Sequence, residues 1–136
     1  MKTDDFYEYN ASGTFRRKKQ RVTAAKEVIE RFIQQRPDDR IGLIAFGARP
    51  YSVCHVTLDH SWLVNRLREL GIGDLDSNGT AIGSAIAAAT TRLNSRDAKS
   101  TVMILVTDGA SHSGPLNPPQ AARATASLGV RVYTIA

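Results

Sequence analysis

The stretch that most constrains the fold of this chain is Ser100–Gly109, with the sequence STVMILVTDG. Residues 101–106 are almost all apolar and rich in β-branched side chains, which is typical of a strand buried on both faces of a parallel sheet. The strand runs into Thr-Asp-Gly, and open α/β sheets bind their ligands at the carboxyl ends of their strands. Asp108 is therefore a candidate site residue; the alternative is that its carboxylate only solvates the strand end.

The length and composition fit one globular domain over residues 1–136. No apolar run approaches the roughly 18 residues that a spanning helix needs, and the polar N-terminus lacks a signal-peptide pattern. We therefore expect no membrane insertion by this chain. The single cysteine, Cys54, excludes an internal disulfide and a cysteine-rich metal site.

The net charge of +5 comes largely from a basic run near the N-terminus, residues 16–21. Such a run can bind nucleic acid, but more often it is a solvated loop that leads into a helix. No aromatic side chains are interleaved with it, and stacking on single-stranded nucleic acid would need them. We predict no nucleic-acid partner.

The first half of the chain contains a helix and two strands. Apolar residues recur at helical spacing from about Arg17 to Gln35, and Pro37 ends that helix. Apolar strands follow at 40–47 and 51–57, antiparallel because their connection is too short for a crossover. No strand is predicted before the first helix. The predicted apolar stripe of the helix is Val22, Ala25, Val28, Ile29, Phe32 and Ile33.

The second half alternates helices and strands. A helix over 58–70 has Asp59 as its candidate N-cap, and a polar loop over 71–79 leads to a helix from Thr80 to about residue 94. After the strand at 101–106, Pro118 starts a helix that Gly129 ends, and the last strand is 130–136. The predicted buried side of the 58–70 helix is Trp62, Leu63, Leu67 and Leu70.

This alternation predicts an α/β fold: a Rossmann-like, doubly wound, mostly parallel sheet with helices on both faces and one antiparallel edge strand. Such a sheet usually starts with a central strand, and that position is empty here. Three loops should converge at its carboxyl edge and offer hard oxygen donors, which suit Mg²⁺. The donors are Asp4, Asp5, Asp74, Asp76, Ser77, Thr80, Asp108 and Ser111.

Other chemical signals in these loops fail. The run from Asp74 to Gly79 opens like an EF-hand loop, but its twelfth position is Ala85 instead of glutamate. Ser111, His112 and Asp108 are the residue types of a hydrolase triad, yet they crowd one loop and no G-x-S-x-G elbow exists. The alternative for Thr80 is that its hydroxyl only caps the N-terminus of the following helix and binds no ligand.

Four stretches in order, RPDDRIGLIAFGARPY, LDSNGTAIGSAIAAATTRL, KSTVMILVTDGASHSG and LGVRVYTIA, resemble the von Willebrand factor type A (VWA) domain. Within it they look most like the bacterial aerotolerance-type (Bat) branch, over nearly all of residues 1–136. The resemblance implies a metal-ion-dependent adhesion site (MIDAS), in which Thr80 matches the threonine and Asp108 the aspartate that ligate Mg²⁺. A carboxylate of a partner protein commonly completes the metal shell in that family.

The chain departs from the family pattern because it contains no D-x-S-x-S motif. We expect a fragment truncated at both ends, without the central strand and that motif. Two ligands are too few for Mg²⁺, which takes six oxygens, so metal binding should be weak or absent. The edges of residues 41–46 and 101–106 should be unpaired or pair with each other, which invites self-association.

The leading hypothesis is a non-enzymatic protein-interaction module with an incomplete Mg²⁺ site at Thr80 and Asp108. One alternative is a metal-free scaffold piece of a larger membrane-anchored protein. Another is an α/β hydrolase or phosphoryl-transfer enzyme that uses Asp108, against which the missing phosphate loop and nucleophile motif count. By resemblance, the domain would lie outside the cytoplasm in a protein anchored in the bacterial inner membrane.

Overall fold

The computed structural model describes residues 6–9, 15–19, 21–71, 79–94, 98–107 and 114–135. The described residues confirm the α/β class, with strands and helices alternating along most of the chain. They also depart from the sequence-based expectation at the N-terminus and in the burial of β5.

The N-terminal region forms a hairpin of two antiparallel strands, β1 (Phe6–Tyr9) and β2 (Phe15–Lys19). The prediction that no strand precedes the first helix was therefore wrong. The helix α1 begins at Arg21 instead of residue 17 and ends at Gln34. The reason is visible in the apolar pattern: it starts only at Val22, so the basic residues before it have no apolar face to bury in a helix.

The first half of the core is built on an antiparallel pair, β3 (Ile41–Phe46) and β4 (Pro50–Thr57), as predicted. The helix α2 (His60–Glu69) follows, and Asp59 caps it by accepting from the amide of Trp62 at 3.0 Å. Helices α1 and α2 pack together on the β3–β4 pair. The buried residues of this cluster are Ile33, Cys54, Leu63 and Leu67.

Two residues of the predicted apolar stripes are exposed large hydrophobic side chains. Val28 of α1 and Trp62 of α2 are each more than half exposed, so their predicted burial was wrong. Helical spacing gives the direction of a side chain from its own helix. It does not say how far the neighbouring element extends to cover it.

The second half of the core contains α3 (Ile82–Asn94), β5 (Thr101–Val106), α4 (Pro118–Ser127) and β6 (Val130–Ile135). The strands β5 and β6 are parallel and in register along their whole length. The helix α4 ends as predicted, with Gly129 at φ +80°, a conformation that favours glycine. The buried residues of this cluster are Ile82, Ile86, Met103, Leu105 and Val130.

The strand β5 is buried on one face only. Met103 and Leu105 pack under α3, whereas Val102 and Ile104 on the opposite face are 44% and 37% exposed. The prediction of burial on both faces was wrong because α3 and α4 pack against the same face of the β5–β6 pair. No described element covers the other face.

The strands β3 and β5 do not pair with each other, which leaves the first of the two alternatives predicted for their edges. Within the described ranges the strands form three separate pairs, β1–β2, β3–β4 and β5–β6. The helix α3 joins the last two pairs, because it contacts β3 and β4 and also packs over β5. The halves of the α/β sheet therefore share a helix but no backbone ladder among the described residues.

Candidate functional site

The first turn of α3 lies where two strands end. The amide of Ala81, just before α3, donates to the carbonyl of Gly47, just after β3, at 2.8 Å. On its other side α3 meets the segment that follows β5. A Cβ on Gly83 would lie 2.8 Å from the carbonyl carbon of Leu116, so only glycine allows this approach. The end of β3 and the loop after β5 therefore meet at one helix N-terminus.

Gly114 brings the loop after β5 onto the same turn. Its φ is +98°, and a Cβ there would lie 3.1 Å from the Cβ of Ala81 and 3.2 Å from the Oγ of Ser84. The hydroxyl of Ser84 therefore lies at the candidate site. Sequence analysis did not single out Ser84.

The structure places Thr80, half-buried, directly before this turn. It also places Thr107, whose amide donates to the carbonyl of Ile135 at 3.1 Å and extends the β5–β6 ladder by one residue. Asp108 is the next residue and lies outside the described residues, so its approach to Thr80 stays a prediction. The other candidate donors also lie outside them: Asp4, Asp5, Asp74, Asp76, Ser77 and Ser111.

The Mg²⁺ site at this edge stays a prediction, because all of its candidate donors except Thr80 lie outside the described residues. Mg²⁺ takes about six oxygen ligands in near-octahedral geometry. Of the predicted donors only Thr80 lies in the described part of the chain, and it offers a single hydroxyl oxygen. The described residues contain no group of three histidine, cysteine or acidic side chains that could hold a metal.

The other reactive side chains that the structure describes have structural roles. Cys54 is buried in the first core cluster, and this burial raises the pKa of its thiol, while the positive charge of Arg66 acts against the shift. A buried thiol with a raised pKa is a poor nucleophile, so Cys54 acts as a small apolar side chain of the core. His55 is exposed. A ring nitrogen of His60 lies 2.7 Å from the carbonyl of Asp39 and ties α2 to the loop before β3.

The sequence profile of the von Willebrand factor type A domain matches residues 9–111. The chain belongs to this family. Its α/β fold is that of a VWA domain. Domains of this family are in general protein-interaction modules. The D-x-S-x-S motif of the family's metal site does not occur in this sequence.

Two solved structures resemble this VWA domain. The conserved hypothetical protein BatB of Bacteroides thetaiotaomicron is 29% identical, with a TM-score of 0.77. An aerotolerance-related membrane protein of Bacteroides fragilis is 26% identical, with a TM-score of 0.75. In each comparison the match covers 84% of this chain and 55% of the solved chain. Both neighbours belong with the Bat branch, as the sequence motifs predicted.

An uncharacterized protein of Borreliella burgdorferi is 33% identical over 117 residues, which cover 86% of this chain and 34% of that protein. The VWA domain therefore spans about a third of this curated relative and about half of the solved chains. Among the described residues, no helix is both long and apolar enough to cross a membrane.

Proposed function

We propose that this VWA domain is a non-enzymatic protein-interaction module. Its contact edge would be the one at Thr80 and Asp108, where the family's Mg²⁺ site is incomplete. The observation that carries the proposal is that the end of β3 and the loop after β5 meet at the first turn of α3. Loops held by a rigid scaffold at one sheet edge are where α/β domains bind their ligands.

Metal independence is the part of this proposal that distinguishes it from the family pattern. Thr80 and Asp108 together supply two oxygens, and Mg²⁺ gives up its water shell reluctantly. An acidic partner would therefore meet hydroxyls and helix amides at this edge instead of a tightly held cation. The partial positive charge of a helix N-terminus favours such a carboxylate without any metal.

A thermal melt in excess Mg²⁺ and then in EDTA tests this directly. A ligand that binds only the folded state at 100 times its Kd adds about 2.7 kcal/mol to the unfolding free energy. We expect no difference between the two melts, for the native chain and for Thr80→Ala and Asp108→Ala alike. A Mg²⁺-dependent rise that either substitution removes would overturn the claim of an incomplete site.

An enzyme that uses Asp108 is the competing class of function. A screen with ester and phosphate substrates separates the two, with Asp108→Ala as the matched control. We expect no turnover above that of the variant. Turnover that Asp108→Ala abolishes would contradict the interaction-module proposal.

The cellular setting is proposed from the relatives. One solved neighbour is titled an aerotolerance-related membrane protein, and the VWA domain spans only part of each relative. We infer that it works as a domain of a larger protein anchored in the bacterial inner membrane, on the side away from the cytoplasm. A metal-free scaffold role within such a protein is the second candidate, favoured by the lack of the family's D-x-S-x-S motif in this sequence.

A further inference from the structure

The hairpin of β1 and β2 differs in composition from the rest of the chain. Its nine strand residues are four aromatic, four basic and one acidic, with no aliphatic residue among them. The strand β1 supplies three of the aromatic residues, and β2 supplies all of the basic ones. A hairpin that belongs to a core carries aliphatic or β-branched residues on one face, and buried cations need partners. This composition is therefore suited to a surface.

The positive charge of the chain is concentrated at this hairpin. Five basic residues lie between positions 16 and 21, as many as the whole net charge of +5. The two strands contain four positive charges and one negative charge, a net charge of +3. In the register of the pair Glu8 lies opposite Arg16, whereas Phe6 lies opposite Lys19. A concentration of like charge of this kind attracts an anionic surface.

The strand pairing brings aromatic residues to the basic run. Along the sequence, residues 16–21 include no aromatic residue. The pairing places Phe6 opposite Lys19 and Tyr9 opposite Phe15, at the two ends of the paired region. Tyrosine rings favour the boundary between water and lipid hydrocarbon, and lysine and arginine favour the anionic headgroups at that boundary. The hairpin thus combines the two residue classes of elements that lie on a membrane surface.

We propose that the β1–β2 hairpin binds the surface of an anionic lipid bilayer. The proposal rests on the proposed setting of this domain in a larger membrane-anchored protein, which would hold the hairpin within reach of phospholipid headgroups. The cations would contact lipid phosphates, and the aromatic residues would enter the headgroup region without crossing the bilayer. Each lysine or arginine near such a surface strengthens binding about fivefold, equivalent to about 1 kcal/mol.

Single-stranded nucleic acid is the competing partner, because it also attracts cations and stacks on aromatic rings. A nucleic-acid groove collects its cations on one face of a sheet. Successive residues of a strand alternate between its two faces, so the four consecutive basic residues of β2 are divided between both. A hairpin that enters the headgroup layer meets phosphates on both of its faces, so this distribution favours the lipid surface.

The test is sedimentation of the 136-residue chain with lipid vesicles, in EDTA so that bound Mg²⁺ plays no part. One set of vesicles is phosphatidylcholine alone, and the other is an equal mixture of phosphatidylcholine and phosphatidylglycerol. We expect binding to the anionic vesicles only, and weaker binding as the salt concentration rises, because salt screens the attraction. Amide hydrogen exchange gives the location, and we expect slower exchange in β1 and β2 on the vesicles.

Three double variants separate the hairpin from the charge of the whole chain. Lys18→Gln with Lys19→Gln removes two cations of β2, and Arg40→Gln with Arg123→Gln removes two exposed cations elsewhere. We expect the first pair to weaken vesicle binding about 25-fold and the second to leave it within about twofold. Lys18→Arg with Lys19→Arg keeps the charge and should bind as the native chain does, which distinguishes lost charge from a lost hairpin.

Three outcomes overturn the proposal. Equal binding to neutral vesicles would mean adsorption without recognition of charge. An equal loss in the two glutamine variants would mean attraction to net charge and not to the hairpin. Tighter binding of a single-stranded thymidine oligonucleotide than of the anionic vesicles would make nucleic acid the partner. Each of these leaves the interaction edge at Thr80 and Asp108 untouched, because the melts in Mg²⁺ and EDTA test that edge separately.

Discussion

The hydroxyl oxygens of Thr90 and Thr125 lie 2.7 Å apart in the interface between α3 and α4. Each also lies within hydrogen-bond distance of a carbonyl one turn earlier in its own helix, that of Ile86 at 2.7 Å and that of Ala121 at 2.8 Å. The two hydroxyl groups have one hydrogen each, so only two of these three contacts are hydrogen bonds at any one time. The pair is the polar contact that links the two helices covering β5 and β6.

Replacing either threonine by valine should be only mildly destabilising. Thr90→Val or Thr125→Val removes the bond between the helices, while the remaining hydroxyl still donates to its own carbonyl. We expect each to lower the unfolding free energy by about 1 kcal/mol in urea titrations. The double variant should cost less than the sum, because two apolar groups then meet with no polar atom stranded. A double variant that costs more than the sum would contradict this account.

Gly83 should tolerate no side chain. A Cβ there meets backbone atoms of Leu116, which cannot rotate away. Gly83→Ala should therefore separate α3 from the loop after β5 and cost about 2 kcal/mol or more. Gly129→Ala is the matched control: it has open space but a positive φ, so we expect only about 1 kcal/mol of backbone strain. Thermal melts that rank the two in the reverse order would refute the close packing at Gly83.

Cys54 should make the stability of the chain fall at alkaline pH. Burial raises the pKa of its thiol above the ordinary value of 9.0, so the folded state retains the proton longer than the unfolded state. Its contribution is fully present below about pH 9 and is lost as the pH rises through the folded-state pKa. Melts of the native chain and of Cys54→Ala from pH 7 to 11 should therefore converge as the pH rises. If the stability difference between the two proteins stayed constant from pH 7 to 11, burial would not raise the pKa of the Cys54 thiol.

Lys26 should contribute more to the docking of α1 on α2 than the neighbouring ion pair does. Its ammonium donates to the carbonyls of Arg68, at 3.0 Å, and of Leu70, at the end of α2. These carbonyls lie at the carboxyl end of α2, where the helix dipole is negative and favours a positive charge. Lys26→Met keeps the aliphatic chain and should cost about 0.5–1 kcal/mol by urea titration.

The exposed pair of Glu30 and Arg68 provides the comparison. The Nε of Arg68 donates to a carboxylate oxygen of Glu30 at 3.2 Å, and this partner raises the pKa of the guanidinium. The side chain of Arg68 is 62% exposed, so screening should leave little net stabilisation. Glu30→Gln should therefore shift the melting temperature less than Lys26→Met does. A larger shift would mean that the exposed pair is the main link between the helices.

The candidate site was predictable in part from the sequence. The position of Thr80 at the start of α3, and the convergence of two strand ends there, follow from the order of elements and from the general rule for α/β sheets. Ser84 was missed because a lone serine in a small-residue helix carries no distinct signal. Only the positive φ of Gly114 brings the loop after β5 against it.

The sequence by itself determined the local elements of this protein: the bounds of most helices and strands, the cap at Asp59, the stop at Gly129 and the antiparallel pairing of β3 with β4. These depend on neighbours within a few residues, so periodicity and turn chemistry suffice to predict them. Only the tertiary structure decided that Trp62 and one face of β5 are exposed, that the basic N-terminal residues form a hairpin, and that β3 and β5 stay apart. Burial and strand pairing depend on which distant segments are present to cover a surface, and no local pattern carries that information.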